Sequence, residues 1–307
     1  MSAAEAQRIR GLEELQAADA ETFGGKSASL GELLRAEIPV PPGFAISTAA
    51  SEEMTDTLRR DIAARYAGLG EGAAVAVRSS AVGEDSAEAT FAGQQDTYLW
   101  VRGVDGICEA VQKCWASLHN PQAVAYRERF SIANPAMGVT IQLMVDAAIS
   151  GVMFTCNPVS GDRSMVAINA SWGLGLAVVG GEVTPDDYLV SKITREVVRQ
   201  QLSAKAVQYV PRGDGHGAER IEVAPERRDA ACLDSGTLSE LVDVAGRIQD
   251  HFGSHQDIEW AIDHAGNVFV VQSRPVTTIG KDKPKAPPAS ALSMVMNKFG
   301  AGGGHGP

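Results

Sequence analysis

Hydrophobic positions along the chain follow two repeating patterns, which predict its helices and strands. Apolar residues at three- and four-residue intervals predict helices around 30–34, 107–118 and 236–252. Short apolar runs bounded by Gly, Pro or polar clusters predict strands at 44–47, 74–77, 138–145, 149–155 and 165–170, of which 138–145 and 149–155 are expected to pair. The apolar side of the 107–118 helix indicates core packing and not a cofactor site.

A predicted β-hairpin ends the patterned part of the chain. Two strand-like runs flank a short turn with Gly and Asn at 264–267. Because strand side chains alternate between faces, Asp257 and Glu259 share one face, and Gln272 and Arg274 share a face of the partner strand. A simple register places position 259 opposite about 271 or 272, and position 257 opposite about 273. This hairpin could bring two carboxylates, an amide and a guanidinium onto one patch.

The residue types of this patch allow two interpretations. A carboxylate and an amide carbonyl suit Mg²⁺, which takes few protein oxygens and leaves its other positions to phosphates and water. The Arg274 guanidinium is a forked cation that suits a phosphoryl group. The alternative is an exposed hairpin face that carries a surface ion pair. Spacing alone leaves both interpretations open.

Two stretches nearer the N-terminus are candidates for binding anions. The Gly-Gly-Lys-Ser run at 24–27 leads into a predicted helix, but Ala20 stands where a P-loop needs glycine, so that motif is excluded. A lysine at a helix N-terminus, here Lys26, still favours anions, and the alternative is a plain turn. Arg78 ends a predicted strand before a loop of small and acidic residues, where α/β proteins position ligand contacts.

Composition and residue spacing exclude several other classes of protein. The 307-residue chain is 44% hydrophobic and 21% charged, as in soluble globular proteins, and its net charge of -11 argues against binding nucleic acids or anionic membranes. The cysteines form no CxxC pair, the histidines form no metal-binding spacing, and Val178 interrupts a GxGxxG pattern. The absence of a signal-peptide pattern and of a bilayer-spanning apolar run predicts a cytoplasmic protein.

Five islands of sequence, in order along the chain, are similar to one protein family. The islands are GGKSASLGELL (24–34), VPPGFAIST (40–48), VAVRSSAVGEDSAEATFAGQQDTYL (75–99), GVMFTCNPVSGD (151–162) and DIEWA with VVQSRP (257–275). Together they resemble the N-terminal ATP-binding domain of phosphoenolpyruvate synthase, pyruvate phosphate dikinase and rifampin phosphotransferase. The resemblance extends over residues 20–278, which is nearly the whole chain.

The resemblance implies a fold and a division into domains. The family has the ATP-grasp fold, an α+β architecture in which two lobes hold the nucleotide in a cleft between them. The lobes would be residues 1–145 and 146–279 of this chain. Residues 280–307, rich in Lys, Pro and Gly, would form a flexible tail.

The same resemblance implies which residues bind phosphate and metal. Lys26 and Arg78 resemble the phosphate-binding cations of the family. Arg274 resembles the residue on the terminal phosphates, and these three would be the catalytic residues. Glu259 and Gln272 resemble the Mg²⁺ ligands. Phosphoryl transfer depends more on such positioning and charge neutralisation than on a protein nucleophile.

Further nucleotide contacts are implied at five positions. Asp257 would lie beside the metal ligands. Gly93 would belong to the loop that closes over the phosphates. Gln142 and Met144, in a hinge strand, resemble the adenine side of the family's pocket, and Glu182 resembles the ribose side. ATP and Mg²⁺ are therefore the implied cofactors.

In this family the phosphoryl acceptor is a histidine on a separate swivelling domain, and the synthase branch releases AMP and phosphate. The chain has no such carrier motif and no barrel domain for pyruvate, which predicts an ATP-binding subunit that acts with a partner subunit. Phenylphosphate synthase, whose ATP-binding piece is a separate subunit, suggests phenol or a related hydroxyl compound as final acceptor. Two alternatives are the ATP-binding part of a phosphoenolpyruvate synthase and an ATP-binding regulator. Leu176, where the family has Glu after Gly-Leu-Gly, favours the regulator.

Overall fold

The computed structural model describes residues 8–50, 53–82, 97–120 and 136–276. These residues divide into two compact units. Unit 1 falls within residues 1–144 and 211–218, and unit 2 falls within 145–210 and 219–307. The predicted domain boundary at residue 145 stays a prediction, and the predicted tail at 280–307 lies outside the described residues.

Unit 1 is built on a five-stranded antiparallel sheet in the order β1-β2-β5-β3-β4. Its strands are β1 (Ile9–Gly11), β2 (Gly43–Ile46), β3 (Val75–Ala81), β4 (Thr97–Val101) and β5 (Met137–Leu143). Its helices are α1 (Ala20–Phe23), α2 (Gly25–Arg35), α3 (Asp56–Ala67) and α4 (Gly103–Ser117), with 3₁₀ turns at Leu12–Glu14 and Ala17–Asp19. Apolar residues of α3 and α4 pack with those of the sheet in one buried cluster.

Helix α2 begins at a tight contact with the end of β3. Gly24, the residue before the helix, has a φ of 82°, which glycine adopts without strain. A Cβ atom at Gly24 would lie 2.0 Å from the carbonyl oxygen of Ser80. The Ser27 amide donates to Ser80 Oγ at 3.2 Å, and the Ser27 and Thr140 hydroxyls lie 2.7 Å apart. The sheet therefore fixes where the N-terminus of α2 lies.

Gly24→Ala is expected to lower the free energy of unfolding by at least about 2 kcal/mol, because it adds both backbone strain and a clash with Ser80. Gly246→Ala is the matched control, since Gly246 has no positive φ and a Cβ there would meet nothing within 4 Å. This control should stabilise the protein by about 0.5–1 kcal/mol, because alanine favours a helix interior. Urea unfolding measures both changes, and equal midpoints for the two variants would contradict the prediction.

Unit 2 is built on a six-stranded antiparallel sheet in the order β13-β12-β6-β7-β8-β9. Its strands are β6 (Ala147–Phe154), β7 (Met165–Trp172), β8 (Asp186–Ser191), β9 (Val197–Gln201), β12 (Gln256–Asp263) and β13 (Val268–Pro275). A separate two-stranded sheet pairs β10 (Val207–Pro211) with β11 (Ala218–Glu222). The helices are α5 (Leu176–Val179), α6 (Pro225–Arg228) and α7 (Ser235–Phe252).

A charged pair lies fully buried in unit 2. Lys205 Nζ is 2.6 Å from Asp186 Oδ1, and both side chains are 0% exposed. The ammonium also donates to the Ser203 carbonyl at 2.7 Å. The carboxylate accepts from the Ser203 amide at 3.0 Å and from the Cys232 amide at 2.9 Å. Burial raises the pKa of the neighbouring Cys232 thiol, which keeps it protonated beside this carboxylate. These contacts compensate both buried charges.

The predicted elements within the described residues are confirmed, with shifts at their ends. The predicted pairing of 138–145 with 149–155 is wrong, because β5 pairs with β2 and β3 in one sheet and β6 pairs with β12 and β7 in the other. The strand predicted at 74–77 continues to Ala81, because Arg78, Ser79 and Ser80 pair with β5 although they interrupt the apolar pattern. The helices predicted at 107–118 and 236–252 begin slightly earlier, at Gly103 and Ser235. The antiparallel sheets with packed helices agree with the α+β class. Within the described part of the chain, none of the helices has the length and apolar character needed to cross a bilayer.

Candidate functional site

The β12–β13 hairpin places four polar side chains on one face of the unit 2 sheet. Glu259 pairs with Gln272, and Asp257 pairs with Arg274. The predicted partner of Glu259 is therefore confirmed, but the simple register was wrong by one residue at Asp257. The cause is a β-bulge after Glu259, because Trp260 pairs with Val270. The bulge turns Gln272 and Arg274 to the face of the two carboxylates, where a regular ladder would have placed their neighbours.

Asp257 holds Arg274 at this face. Arg274 Nε and Nη2 lie 2.9 and 2.8 Å from the same oxygen of Asp257, Oδ2. The Arg274 side chain is 17% exposed and that of Asp257 8% exposed, so water screens the pair only weakly. Asp257 thus contacts the guanidinium directly and orients it. The alternative of a fully exposed surface ion pair does not describe these two residues.

Glu259 and Gln272 form the adjacent pair on the same face. Glu259 is half-buried and Gln272 is buried. Their side chains offer a carboxylate and an amide oxygen from directly opposed positions of neighbouring strands. This donor set fits Mg²⁺, which is commonly bound by one or two protein oxygens together with phosphates and water. No group of three or more His, Cys, Asp or Glu among the described residues forms a denser metal site.

The two candidate cations of unit 1 lie close to the same strand end. Lys26, in the first turn of α2, is 3% exposed, and its Nζ donates to the Ser79 carbonyl at 2.9 Å. Arg78 directly precedes Ser79 on β3 and is also buried. The sequence predicted both residues as anion ligands, and the structure brings them to one region of unit 1. It also shows that the first turn of α2 is already bonded to Ser80, which the sequence pattern does not reveal.

Lys26→Met is expected to weaken ATP binding about 10- to 100-fold, because it removes a cation capable of a charge-assisted bond to phosphate. Methionine keeps most of the length and apolar volume of the side chain, so the packing of α2 should persist. Calorimetric titration with Mg-ATP measures the affinity. Lys113→Met, which changes an exposed lysine paired with Glu109, is the control and should leave the affinity unaltered. Unaltered affinity in Lys26→Met would favour the interpretation of this segment as a plain turn.

The predicted adenine contacts lie at the end of β5. Gln142 is buried, and its Nε2 donates to the Pro41 carbonyl at 3.4 Å. Met144 follows β5 and donates its backbone amide to the Ala74 carbonyl at 2.9 Å. The boundary between the units falls directly after Met144. Gly93, the remaining predicted contact of this half of the chain, lies outside the described residues.

Glu182, predicted on the ribose side, is engaged by two neighbours in unit 2. Its Oε1 accepts from the Tyr209 hydroxyl at 2.6 Å, and its Oε2 accepts from Arg220 Nε at 3.1 Å. The hydrogen bond to this carboxylate raises the pKa of the Tyr209 phenol. Tyr209 also accepts the Leu174 amide at its carbonyl, so it ties Glu182 to the Gly-Leu-Gly turn before α5. Sequence reasoning missed Tyr209 and Arg220, because neither belongs to a recognisable motif.

One family model and several curated proteins are similar to this chain in sequence. A family model described as the pyruvate phosphate dikinase AMP/ATP-binding domain matches residues 20–68 and 48–293. A probable phosphoenolpyruvate synthase of Methanothermobacter thermautotrophicus is 39% identical over 318 residues, which cover 88% of this chain and 46% of the relative. The phosphoenolpyruvate synthase of Pyrococcus furiosus is 33% identical over 386 residues, which cover 97% of this chain and 47% of the relative.

A relative with a different name shows the same partial overlap. The prodigiosin synthesizing transferase PigC of Serratia marcescens is 39% identical over 287 residues, covering 84% of this chain and 32% of the relative. The chain thus spans less than half the length of these three curated relatives. The names of the relatives therefore describe longer proteins, of which this chain corresponds to one part.

Proposed function

Because the chain belongs to the pyruvate phosphate dikinase AMP/ATP-binding domain family, we propose that it is the ATP-binding part of a phosphoenolpyruvate synthase-type phosphotransferase. It binds Mg-ATP and phosphorylates a histidine outside this chain, while one water molecule takes up the second phosphoryl group, so that AMP and phosphate are the co-products. The observation that carries the proposal is the polar face of the β12–β13 hairpin, where a carboxylate–amide pair adjoins an arginine held by an aspartate. The names of the relatives favour this function over a phenylphosphate synthase, whose acceptor would be phenol.

We also propose that the two units are the lobes of an ATP-grasp fold. Unit 1 contributes the cations Lys26 and Arg78, which neutralise phosphate charge. Unit 2 contributes Arg274, whose guanidinium contacts the terminal phosphates while Asp257 fixes its orientation. The net charge of -11 requires such a local group of cations, because the protein as a whole repels polyphosphate.

Glu259 and Gln272 would hold Mg²⁺ beside Arg274. When bound, the metal neutralises phosphate charge and helps to align the nucleotide for in-line transfer. The side chains of this chain then have two tasks: they bind the phosphates and they orient them. No protein nucleophile is needed, because the attacking nitrogen belongs to the acceptor histidine.

A second candidate function is an ATP-binding regulator that transfers nothing. The observation that favours it is Leu176, an apolar residue at the start of α5 where the family has Glu. The fate of ATP in the presence of the histidine-bearing carrier chain distinguishes the two functions. An enzyme gives AMP and an acid-labile phosphohistidine once the carrier chain is present, whereas a regulator binds ATP and leaves it intact.

The test combines the purified chain, Mg²⁺ and γ- or β-labelled ATP with the histidine-bearing region of a phosphoenolpyruvate synthase. Label on the carrier's histidine, with AMP in solution, supports the proposed function. Binding of Mg-ATP without transfer to the carrier supports the regulator. Failure to bind Mg-ATP at all overturns both.

Glu259→Ala is expected to raise the Mg²⁺ concentration for half-maximal ATP binding about 10- to 100-fold, as losses within a metal site do. The hairpin does not need this half-buried side chain, so the fold should persist. Glu240→Ala, an exposed change on α7, is the control and should not shift the Mg²⁺ titration. An unshifted titration in Glu259→Ala would contradict the metal assignment.

A further inference from the structure

An arginine on the edge strand of unit 1 contacts two residues that come shortly before Lys26. Arg10, on β1, donates from Nη2 to Asp19 Oδ1 at 2.5 Å, and its guanidinium carbon lies 4.9 Å from the centre of the Phe23 ring. A cation within about 6 Å of the centre of an aromatic ring is attracted to the face of the ring. Asp19 directly precedes α1, and Phe23 is the last residue of α1. Arg10 thus contacts both ends of this short helix.

The Arg10 guanidinium occupies a largely buried position at a cost in free energy. Phe23 is 0% exposed, and the side chains of Arg10 and Asp19 are 24% and 15% exposed. Arg10 Nε is buried and has no hydrogen-bond partner among the described residues. An unpaired buried donor is destabilising, and an apolar side chain would cover Phe23 without that cost. The guanidinium is therefore not explained by packing alone.

Tight backbone contacts connect Phe23 to Lys26. A Cβ atom at Gly138 on β5 would lie 2.4 Å from the Phe23 carbonyl oxygen, so the backbone of Phe23 lies directly against the sheet. The next residue, Gly24, is in equally close contact with Ser80 on β3. Lys26 follows two residues later, in the first turn of α2. A shift of Phe23 would therefore move the start of α2, and Lys26 with it.

The 3₁₀ turn before α1 provides a second connection from Arg10 to α2. Asp19, which accepts from Arg10 with Oδ1, also accepts from the Gln16 amide with Oδ2 at 3.0 Å. The Ala17 amide of the same turn donates to Glu32 Oε1 on α2 at 2.8 Å. Arg10 is thus connected to α2 in two ways, through the aromatic ring at the end of α1 and through this turn.

We propose that Arg10 is a positioning residue for Lys26. It holds the segment before the Gly-Gly turn at 24–25, so that the Lys26 ammonium stays at the end of β3, where it neutralises phosphate charge. This role rests on the proposed function, in which Lys26 binds the phosphates of ATP. The similarity to the family begins at residue 20, so it assigns no role to Arg10.

The first test removes the guanidinium and measures the affinity of the full chain for Mg-ATP by titration calorimetry. Arg10→Met keeps an apolar stem over Phe23 and should weaken binding roughly three- to tenfold, less than loss of the Lys26 ammonium itself. Arg65→Met is the matched control, because Arg65 also pairs with an acidic residue of unit 1, Glu14, but at exposed positions. The control should keep the wild-type affinity. Wild-type affinity in Arg10→Met, or equal weakening in both variants, would overturn the proposal.

A double-variant cycle with Lys26→Met distinguishes positioning from two other roles. If Arg10 acts through Lys26, then Arg10→Met should change the affinity for Mg-ATP no further once Lys26 is methionine. An arginine that only stabilises the fold would lower the urea midpoint of both backgrounds and leave the affinity unaltered. An arginine that contacts the nucleotide itself would weaken binding by the same factor in both backgrounds. Either of these two results would overturn the positioning role.

Arg10→Lys tests whether the charge between Asp19 and Phe23 is what matters. Lysine can still pair with Asp19 and place a cation near the ring, although it lacks the planar fork. This variant should therefore bind Mg-ATP more tightly than Arg10→Met and within about threefold of the wild type. Binding as weak as that of Arg10→Met would contradict a role based on the charge.

The same titrations distinguish failure of this role from failure of the proposed function. A wild-type chain that binds no Mg-ATP refutes the proposed function and the role of Arg10 with it. Wild-type affinity in Lys26→Met refutes the phosphate role of Lys26, and with it any positioning of Lys26 by Arg10. A chain whose affinity falls in Lys26→Met but not in Arg10→Met refutes only the positioning role.

Discussion

Arg274→Ala is expected to lower the rate of histidine phosphorylation by about 10³-fold or more. An arginine aimed at the transferring phosphoryl group stabilises charge that develops in the transition state, and such groups typically contribute 10³- to 10⁵-fold. The contact with Asp257, through two nitrogens at 2.8–2.9 Å, indicates a guanidinium held in place before substrate arrives. Its loss should therefore reduce the transfer rate much more than the affinity for ATP.

Two further variants sharpen this prediction. Arg274→Lys keeps a positive charge but loses the planar fork, so most of the rate should still be lost. Arg195→Ala is the control, because Arg195 also pairs with an aspartate, Asp243, but at an exposed position of unit 2. Single-turnover transfer from labelled ATP to the carrier measures all three. A rate within threefold of wild type in Arg274→Ala would exclude a role for this residue in the transfer step.

Lys205→Met is expected to lower the free energy of unfolding by about 3–5 kcal/mol. It would leave the Asp186 carboxylate fully buried without its cation, and an uncompensated buried charge is among the costliest single defects. The backbone amides of Ser203 and Cys232 would still donate to the carboxylate but cannot neutralise it. Urea or thermal unfolding measures the loss.

Lys113→Met provides the control for this stability prediction. Lys113 pairs with Glu109 at exposed positions of α4, where such pairs contribute only about 0.3–0.5 kcal/mol. Equal losses of stability in Lys205→Met and Lys113→Met would show that breaking the buried Lys205–Asp186 pair costs no more than breaking an exposed pair. A double variant, Lys205→Met with Asp186→Leu, should recover part of the loss, since it removes both charges together.

The β12–β13 hairpin shows how much of the candidate site can be predicted from the sequence alone. The turn at 264–267 and the pairing of Glu259 with Gln272 follow from strand alternation and turn residues, and both are present. The pairing of Asp257 with Arg274 does not follow, because a β-bulge has no reliable sequence signal when neither residue is glycine. Local pattern thus identifies the strands, whereas the exact partner depends on packing across the sheet.

Long-range contacts account for most of what the sequence did not predict. Gly-Gly-Lys-Ser suggested a free helix N-terminus, but the amide of Ser27 is bonded to Ser80 on a strand distant in sequence. Lys205 and Asp186 carry no motif, and their pairing arises only when β8 and the segment before β10 meet. Tyr209 reaches Glu182 in the same way. Each partner is set by tertiary structure, which periodicity along the chain does not encode.

The bulge after Glu259 also restricts how this protein can change in evolution. It is a phase shift of one residue at Val271, and strand side chains alternate with a period of two, so pairing the same sequence as a regular ladder without the bulge would rotate the end of β13 by half a period. Val271 and Ser273 would then replace Gln272 and Arg274 on the polar face. The composition of the polar face therefore depends on the bulge at Val271 as much as on the identities of Gln272 and Arg274.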